Sequence, residues 1–227
     1  MTVLAAGVVL IVLRRWNVGA RPQSAATAES ASSTIGWGIR DRLGFMTLGL
    51  IVFLDLAVQS GFLTFVAFLM SEKEVPTGLA AFAVVLTLAG GTFGKFGCGF
   101  LAEHMGAKPS LILVQCLTAA GILAVVLSPT LVAFALLPLL GMVLQGSSSV
   151  TYGTITDLVH RDRQSRGFAA IYSISSAAGI VGPIVFGIIG DRFGIVAAML
   201  AITLTVLVSL PLIVLLRIPP EEIDPAQ

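Results

Sequence analysis

Two ionisable side chains stand inside long apolar segments of this chain and have the clearest capacity for chemistry. Asp55 lies about twelve residues into one apolar run, and Lys95 lies about seven residues from the end of the next. A charge inside a membrane-spanning helix costs a few kcal/mol, so such residues are functional candidates by default. At 1.5 Å per residue their depths are roughly 18 and 10 Å, a difference of about one lysine length. An Asp55–Lys95 ion pair is therefore geometrically possible, and it would offset much of both burial costs.

The surroundings of Lys95 favour a cavity over a packed interface. Its own helical face carries only small residues, which are Gly91, Cys98, Gly99 and Ala102. We expect Lys95 to bind a substrate or to couple its movement; the alternative is a lysine that reaches the membrane surface and pairs with Asp55. For Asp55, proton or substrate coupling and a purely structural pair both remain open. Gln59 lies one turn from Asp55 on the same face.

Polar residues at helical spacing form two further stripes. The stronger one has spacings of 4, 3 and 4 and consists of Gln145, Ser149, Tyr152 and Thr156. A weaker one consists of Tyr172, Ser176 and Gly179. Such stripes inside a span either line water or bond a neighbouring helix, and here we favour cavity lining.

The composition identifies the elements that must position these residues. The chain is 56% hydrophobic and 11% charged, whereas soluble domains are about a quarter charged. Its apolar runs are long and continuous, which predicts membrane-spanning helices in a lipid bilayer rather than a barrel. We predict six spans, at about 43–70, 76–102, 109–127, 130–158, 167–190 and 194–217.

Several classes of site and partner are disfavoured. The net charge is +1 and no basic run carries interleaved aromatic residues, so we expect no nucleic-acid partner. Cys98 and Cys116 both fall in apolar runs and are interpreted as free thiols. His104 and His160 lack ligand-forming neighbours, so we expect neither a metal nor another cofactor.

The distribution of basic residues predicts the orientation of the spans. Residues 1–13 are too short to cross a bilayer and are interpreted as the end of a preceding span, 14–42 as a linker and 218–227 as a tail. Lys73 and Arg192 lie on one side of the predicted spans. Ten basic residues lie on the other: Arg14, Arg15, Arg21, Arg40, Arg42, Lys108, Arg161, Arg163, Arg166 and Arg217. The linker and the C-terminus are therefore expected in the cytoplasm.

A short glycine and acid pattern occurs twice, 88 residues apart. Gly99-Phe100-Leu101-Ala102-Glu103-His104-Met105-Gly106 is followed by Gly187-Ile188-Ile189-Gly190-Asp191-Arg192-Phe193-Gly194. The offset also relates Gly91 to Gly179 and Gly94 to Gly182. It predicts two repeats, about 43–127 and 130–217. Each repeat holds three spans, an odd number, so the second should be inverted relative to the first.

The first copy resembles the hallmark loop of the major facilitator superfamily, approximately G-x-L-A-D-R-x-G-R-K. Residues Gly99 to Lys108 match it, with Glu103 for aspartate, His104 for arginine and Ala107 for the first of the two final basic residues. Arg166-Gly167 followed by Gly179, Gly182-Pro183 and Gly187 is similar to the eleventh helix of the family. The resemblance implies helices seven to twelve, the C-terminal half of such a transporter, with a six-helix N-terminal half missing.

The resemblance also implies roles for particular residues. The hallmark loop, with Gly99, Glu103, Gly106 and Lys108, would act as a cytoplasmic gate latch. The second copy, with Asp191 and Arg192, would lie on the opposite face, and a purely structural turn is the alternative for both. In monocarboxylate and oxalate/formate-type members an arginine at the place of Lys95 binds the substrate carboxylate, which would make Lys95 an anion-binding residue.

The function expected from these features is secondary active transport of a small solute by alternating access. The expected solute is a small organic anion such as a monocarboxylate, coupled to protons, and the expected location is the plasma membrane, of bacterial inner-membrane type. The alternatives are efflux of a lipophilic compound and a truncated module that does not transport. An enzyme is disfavoured because the spans hold no cluster of histidines and acids.

Overall fold

The computed structural model describes residues 41–159 and 163–216, and this part of the chain is built from six α-helices. They are α1 (Arg42–Glu72), α2 (Thr77–Met105), α3 (Ala107–Leu127), α4 (Thr130–Leu158), α5 (Gln164–Phe193) and α6 (Ile195–Leu215). All six contain a segment long and apolar enough to cross a membrane. The predicted all-helical, six-span fold is confirmed. The predicted end of a preceding span, nearly all of the linker, and the tail lie outside the described residues.

The helix ends differ from the predicted spans by up to three residues, most clearly at the two glycine and acid patterns. The α2 and α5 helices were expected to end near Ala102 and Gly190, but they continue to Met105 and Phe193. Glu103 and Asp191 therefore lie in the last helical turn, and their assignment to a loop was wrong. The physical reason is that a charged residue at the membrane surface does not end a helix.

A single glycine makes each of these turns. Gly106 has φ 84° and ψ 161°, and Gly194 has φ 88° and ψ 164°. This backbone region is accessible essentially to glycine alone. Each glycine donates its N–H to the carbonyl four residues earlier, and the next helix begins at the following residue. The last glycine of each copy of the pattern is thus required by the backbone reversal itself.

The helices repeat with the predicted offset. The starts of corresponding helices are 88, 87 and 88 residues apart, from Arg42 to Thr130, from Thr77 to Gln164 and from Ala107 to Ile195. Six crossings in sequence place the two three-helix units in opposite orientations across the membrane. We call the membrane side where α1, α3 and α5 begin side I and the opposite one side II.

Two equivalent pairs of helices make close crossings, α2 with α4 and α5 with α1. A methyl group on Gly90 or Gly94 of α2 would overlap the main chain of α4 at Pro138 or Met142. At the equivalent place, a methyl group on Gly182 of α5 would lie 2.6 Å from the Ala57 carbonyl oxygen of α1. Glycine faces of this kind let membrane helices pack backbone against backbone.

The interior consists of two apolar clusters separated by a polar layer. One cluster, toward side II, includes Phe62 and Ile122, and the other, toward side I, includes Leu48 and Leu111. Five helices each place a buried polar residue between the clusters, and these residues are Asp55, Gln115, Ser147, Ser175 and Ser209. Every buried side-chain nitrogen and oxygen in the described residues has a hydrogen-bond partner, as an interior shielded from water requires.

Candidate functional site

Asp55 lies at the centre of the polar layer and is held by two neutral donors. The residue is 5% exposed. Gln115 Nε2 on α3 donates to Oδ1 at 2.9 Å, and the Ser147 hydroxyl on α4 donates to Oδ2 at 2.7 Å. Both donors are 1% exposed. Three helices thus meet at one carboxylate, and the two hydrogen bonds take the place of water around it.

A second hydrogen bond joins the same two helices one turn away. Gln59 Nε2 on α1 donates to the Leu144 carbonyl oxygen on α4 at 2.9 Å. The Ser147 hydroxyl also lies 3.1 Å from this carbonyl oxygen. Gln59 and Ser147 are 88 residues apart and hold equivalent positions in the two repeats. Each reaches across to the other's helix, so the pair marks the crossing of α1 with α4.

Lys95 is separate from this buried site. Its side chain is exposed on the surface of the six-helix unit, and within the described residues it forms no ion pair with Asp55, whose partners are Gln115 and Ser147. The Asp55–Lys95 pair that the sequence allows is therefore not formed. Lys95 follows Gly94, which faces α4, and one residue turns a helix by about 100°. The turn places Lys95 beside this contact rather than within it.

The α2 surface around Lys95 is open. No atom lies within 4 Å of a methyl group built on Gly97 or Gly99, apart from the helix itself. Lys95 is ten residues before the end of α2 at Met105, which corresponds to about 15 Å along the axis. Lys95 thus lies further from the end of its helix than the sequence predicts.

The predicted polar stripe of α4 is divided between different environments. Gln145 is 9% exposed and packs against Gly91 of α2, one turn from Lys95. Ser149 and Tyr152 are half-buried. The side chain of Thr156 lies outside what the structure describes. Gln145, Ser149 and Tyr152 therefore follow one side of α4, with Gln145 fixed by helix contact and the other two partly accessible.

Two aromatic rings connect this stripe to α5. Tyr152 and Tyr172 stack with ring centroids 5.3 Å apart and an interplanar angle of 28°. Tyr172 is 55% exposed. Ser176, one turn further along α5, is exposed and donates to the Tyr172 carbonyl oxygen at 2.9 Å. The structure thus brings together the tyrosines of the two predicted stripes, near side I.

The predicted gating residues lie at the two single-glycine turns. Glu103 is exposed on side I, and the neighbouring His104 places Nδ1 3.0 Å from the Phe100 carbonyl oxygen. Lys108 lies in the first turn of α3. Asp191 and Arg192 are exposed on side II. In the described part of the chain neither acid forms an ion pair or caps the following helix. An acid in the last turn of a helix opposes the helix dipole, so Glu103 would gain from a basic partner.

A cavity of about 540 Å³ opens along the side I end of α5. It is lined by Arg166, Ala169, Ala170 and Ser173. It contains none of the residues that the sequence singled out as a binding site. Arg166 nevertheless places a basic residue in the lining of this space on side I.

Gln115 and Ser147 are the site residues that sequence reasoning missed. Gln115 is a neutral amide inside a largely apolar part of its span, and its one polar neighbour at a spacing of three or four residues is Thr118. Ser147 belongs to the run Ser147-Ser148-Ser149, of which only Ser149 fits the predicted stripe. An amide within a span was the available signal, because a buried amide requires a partner.

The remaining potential ligands do not converge on one another. In the described ranges no three histidine, cysteine or acidic side chains form a metal-binding group. Cys98 is buried at the α2–α4 crossing and Cys116 is exposed on α3, and both are free thiols. His160 lies outside the described residues.

The six-helix architecture agrees with a known family of membrane proteins. The family model of the Major Facilitator Superfamily matches residues 48–227, which is well over half of the chain. No curated protein matches the chain significantly. The matched family consists of secondary transporters rather than enzymes, and six helices able to cross a membrane describe an integral, multi-pass membrane protein. The chain belongs to the major facilitator superfamily.

Proposed function

We propose that this chain forms the C-terminal half of a proton-coupled carrier for a small organic anion, working by alternating access. A second six-helix domain would supply the opposite wall of the transport path. The linker and the C-terminus would face the cytoplasm, which makes side I the cytoplasmic side.

The observation that carries the proposal is the exposure of Lys95 at membrane depth. An ammonium group facing hydrocarbon would cost a few kcal/mol or more, and no acidic side chain in the described residues neutralises it. A wet cavity between two domains removes that cost. An anionic substrate would then supply the missing charge, in a space kept open by Gly97 and Gly99.

The polar side of α4 would complete the binding surface. Gln145 reaches the α2 face next to Lys95, and Ser149 and Tyr152 follow toward side I. Tyr172 and Ser176 would extend this surface onto α5. Hydroxyl and amide groups orient a small ligand after a charge has attracted it.

Asp55 would be the proton site. It is the buried carboxylate of the described spans, and it is separated from Lys95 by helix packing rather than paired with it. A carboxylate held by neutral donors can gain or lose a proton without breaking an ion pair. Asp55 lies where three helices meet, so a change in its charge would affect how these helices pack.

The turns at Glu103 and Asp191 would act on opposite sides of the membrane. Glu103 and Lys108 would form a latch with basic or acidic groups of the other domain on side I. Asp191 and Arg192 would make the corresponding, shorter turn on side II. Neither acid has an ion-pair partner among the described residues, as a latch between two domains requires.

One observation favours a lipophilic compound instead of an anion. Three phenylalanines on α2 are strongly exposed: Phe93, Phe96 and Phe100. Such a surface suits an apolar ligand, and it also suits lipid or a second domain. The two functions differ in their dependence on the charge of residue 95.

Transport by variants at Lys95 tests the proposal. Lys95→Ala in the full-length transporter should abolish uptake of labelled acetate, lactate or oxalate into proteoliposomes, and Lys95→Arg should retain part of it. Thr92→Ala, one turn away on the same helix, is the uncharged control. Unchanged anion uptake by Lys95→Ala would contradict the anion proposal, and unchanged export of a lipophilic dye would then support efflux. Full transport by the 227-residue chain alone would contradict the need for a second domain.

A further inference from the structure

We propose that the Ser147 hydroxyl is a two-position switch that transmits the protonation of Asp55 to the hydrogen bond between Gln59 and Leu144. This inference rests on the proposed role of Asp55 as the proton site. It assigns positioning roles to Ser147, Gln115 and Gln59, three side chains on three helices, and it defines how a proton would alter the contact between α1 and α4.

The geometry gives Ser147 one proton and two acceptors. Asp55 Oδ2 lies 2.7 Å from the hydroxyl and the Leu144 carbonyl oxygen lies 3.1 Å from it. A serine hydroxyl can donate to one of them at a time, and it accepts through its lone pairs. With Asp55 ionised, the shorter contact to a charged oxygen is the stronger one, so the proton points toward Asp55.

Gln115 determines which carboxylate oxygen takes up a proton. Its Nε2 group donates to Oδ1 at 2.9 Å, and an amide nitrogen has no acceptor capacity. Oδ1 therefore stays an acceptor, and an incoming proton binds to Oδ2. The new O–H group then donates to Ser147 Oγ, and the proton of Ser147 itself turns toward the Leu144 carbonyl oxygen. One proton is added, and each other proton stays on its own atom.

The turned hydroxyl competes with Gln59. The Leu144 carbonyl oxygen already accepts from Gln59 Nε2 at 2.9 Å, and within α4 it also accepts the helical N–H four residues on. A carbonyl oxygen has two lone pairs, so a third donor weakens the bond from Gln59. Protonation of Asp55 would therefore loosen the hydrogen bond that joins α1 to α4 at their crossing.

Among the described side chains, few other titratable groups face this junction. Tyr152 on α4 is close enough to Asp55 for electrostatic interaction, and Tyr172 on α5 stacks on it. On α2, Lys95 is exposed and Cys98 is buried at the contact with α4. The α3 helix carries Lys108 at its start and an exposed Cys116. The α6 helix has no titratable residue.

Infrared difference spectroscopy between low and high pH tests the switch without a transport assay. The full-length protein in lipid nanodiscs should show a carboxylic acid band that is lost in Asp55→Asn, and an amide band that is lost in Gln59→Leu. Ser147→Ala should retain the Asp55 band and lose the Gln59 band. Ser147→Thr, which keeps the hydroxyl, should restore it, and Ser148→Ala should retain both, because Ser148 donates to the Gln145 carbonyl oxygen instead.

The outcomes separate the switch from the proposed function. A Gln59 band that persists in Ser147→Ala would overturn the switch while leaving Asp55 as the proton site. Absence of any Asp55 band would overturn both. If the alanine variant does not fold, Ser147→Cys takes its place. Cysteine is a weak donor of similar size, so this variant should likewise retain the Asp55 band and weaken the Gln59 band. The test of Lys95 by anion uptake is independent of both spectroscopic results.

Discussion

Replacing Gln115 with leucine should destabilise the protein although the new side chain is more apolar than the old one. Gln115 is 1% exposed, and its amide donates at 2.9 Å to the carboxylate of Asp55, a residue that is 5% exposed. Leucine would leave Asp55 Oδ1 without this donor at a buried position. A buried acceptor left unsatisfied costs about 1–3 kcal/mol. For a protein of this size the corresponding drop in melting temperature is about 4–8 °C for 2 kcal/mol.

Thermal unfolding in a mild detergent, followed by circular dichroism, measures this effect. The matched control is Cys116→Ser, the adjacent and exposed position of the same helix, which should leave the melting temperature within about 1–2 °C of the parent, since surface changes stay within about 0.5 kcal/mol. The double variant Asp55→Leu and Gln115→Leu should recover most of the loss. In that variant no polar atom of the pair remains, and the Ser147 hydroxyl can still donate to the Leu144 carbonyl oxygen, 3.1 Å away.

Two results would refute the reasoning. If the melting temperature of Gln115→Leu equals that of the control, the hydrogen bond contributes nothing to stability. If the double variant loses as much as the sum of the two single variants, the cost does not come from an unsatisfied polar atom.

Three further predictions concern coupling and packing. Asp55→Asn should remove the pH dependence of anion accumulation in proteoliposomes while retaining exchange of labelled for unlabelled substrate; an unaltered pH profile would exclude Asp55 as the proton site. Gly94→Ala should cost about 1–3 kcal/mol through overlap with the Met142 main chain, measured by thermal unfolding, whereas Gly97→Ala, with open space around it, should be close to neutral. Gly106→Ala should cost about 1–3 kcal/mol because of its φ of 84°, and a melting temperature equal to that of the parent would show that the turn can rearrange.

The helical framework could be predicted from the sequence because its causes are local. Runs of apolar residues longer than the hydrocarbon thickness define the spans, and the short breaks between them carry proline, glycine or charge. The 88-residue repeat was visible because the glycines that permit close helix crossings, such as Gly94 and Gly182, and the turn glycines, Gly106 and Gly194, are all conserved in spacing within one chain.

The partners of Asp55 could not be predicted because they depend on the angular position of each helix. Depth alone allowed Asp55 to meet Lys95. The close packing of α2 on α4 through Gly90 and Gly94 instead places Lys95 beside the contact and leaves the interior to α3. Gln115 then becomes one of the two donors to Asp55, although nothing in the sequence relates positions 55 and 115. Tertiary packing thus decides which side chain becomes the partner of Asp55, and the sequence alone does not distinguish Gln115 from Lys95.

The α4 helix connects the two charged sites that packing keeps apart. Gln145 contacts the α2 face beside Lys95, and Ser147 contacts Asp55. The two residues are separated by about 200° around the helix axis, so they project from nearly opposite sides of α4. In the mechanism that we propose, a proton at Asp55 loosens the contact of α4 with α1, whereas an anion at Lys95 acts on the side that faces α2. A tilt of α4 would then change both sites at once. The binding of one ligand would thereby change the affinity of the protein for the other, although the two ligands never touch.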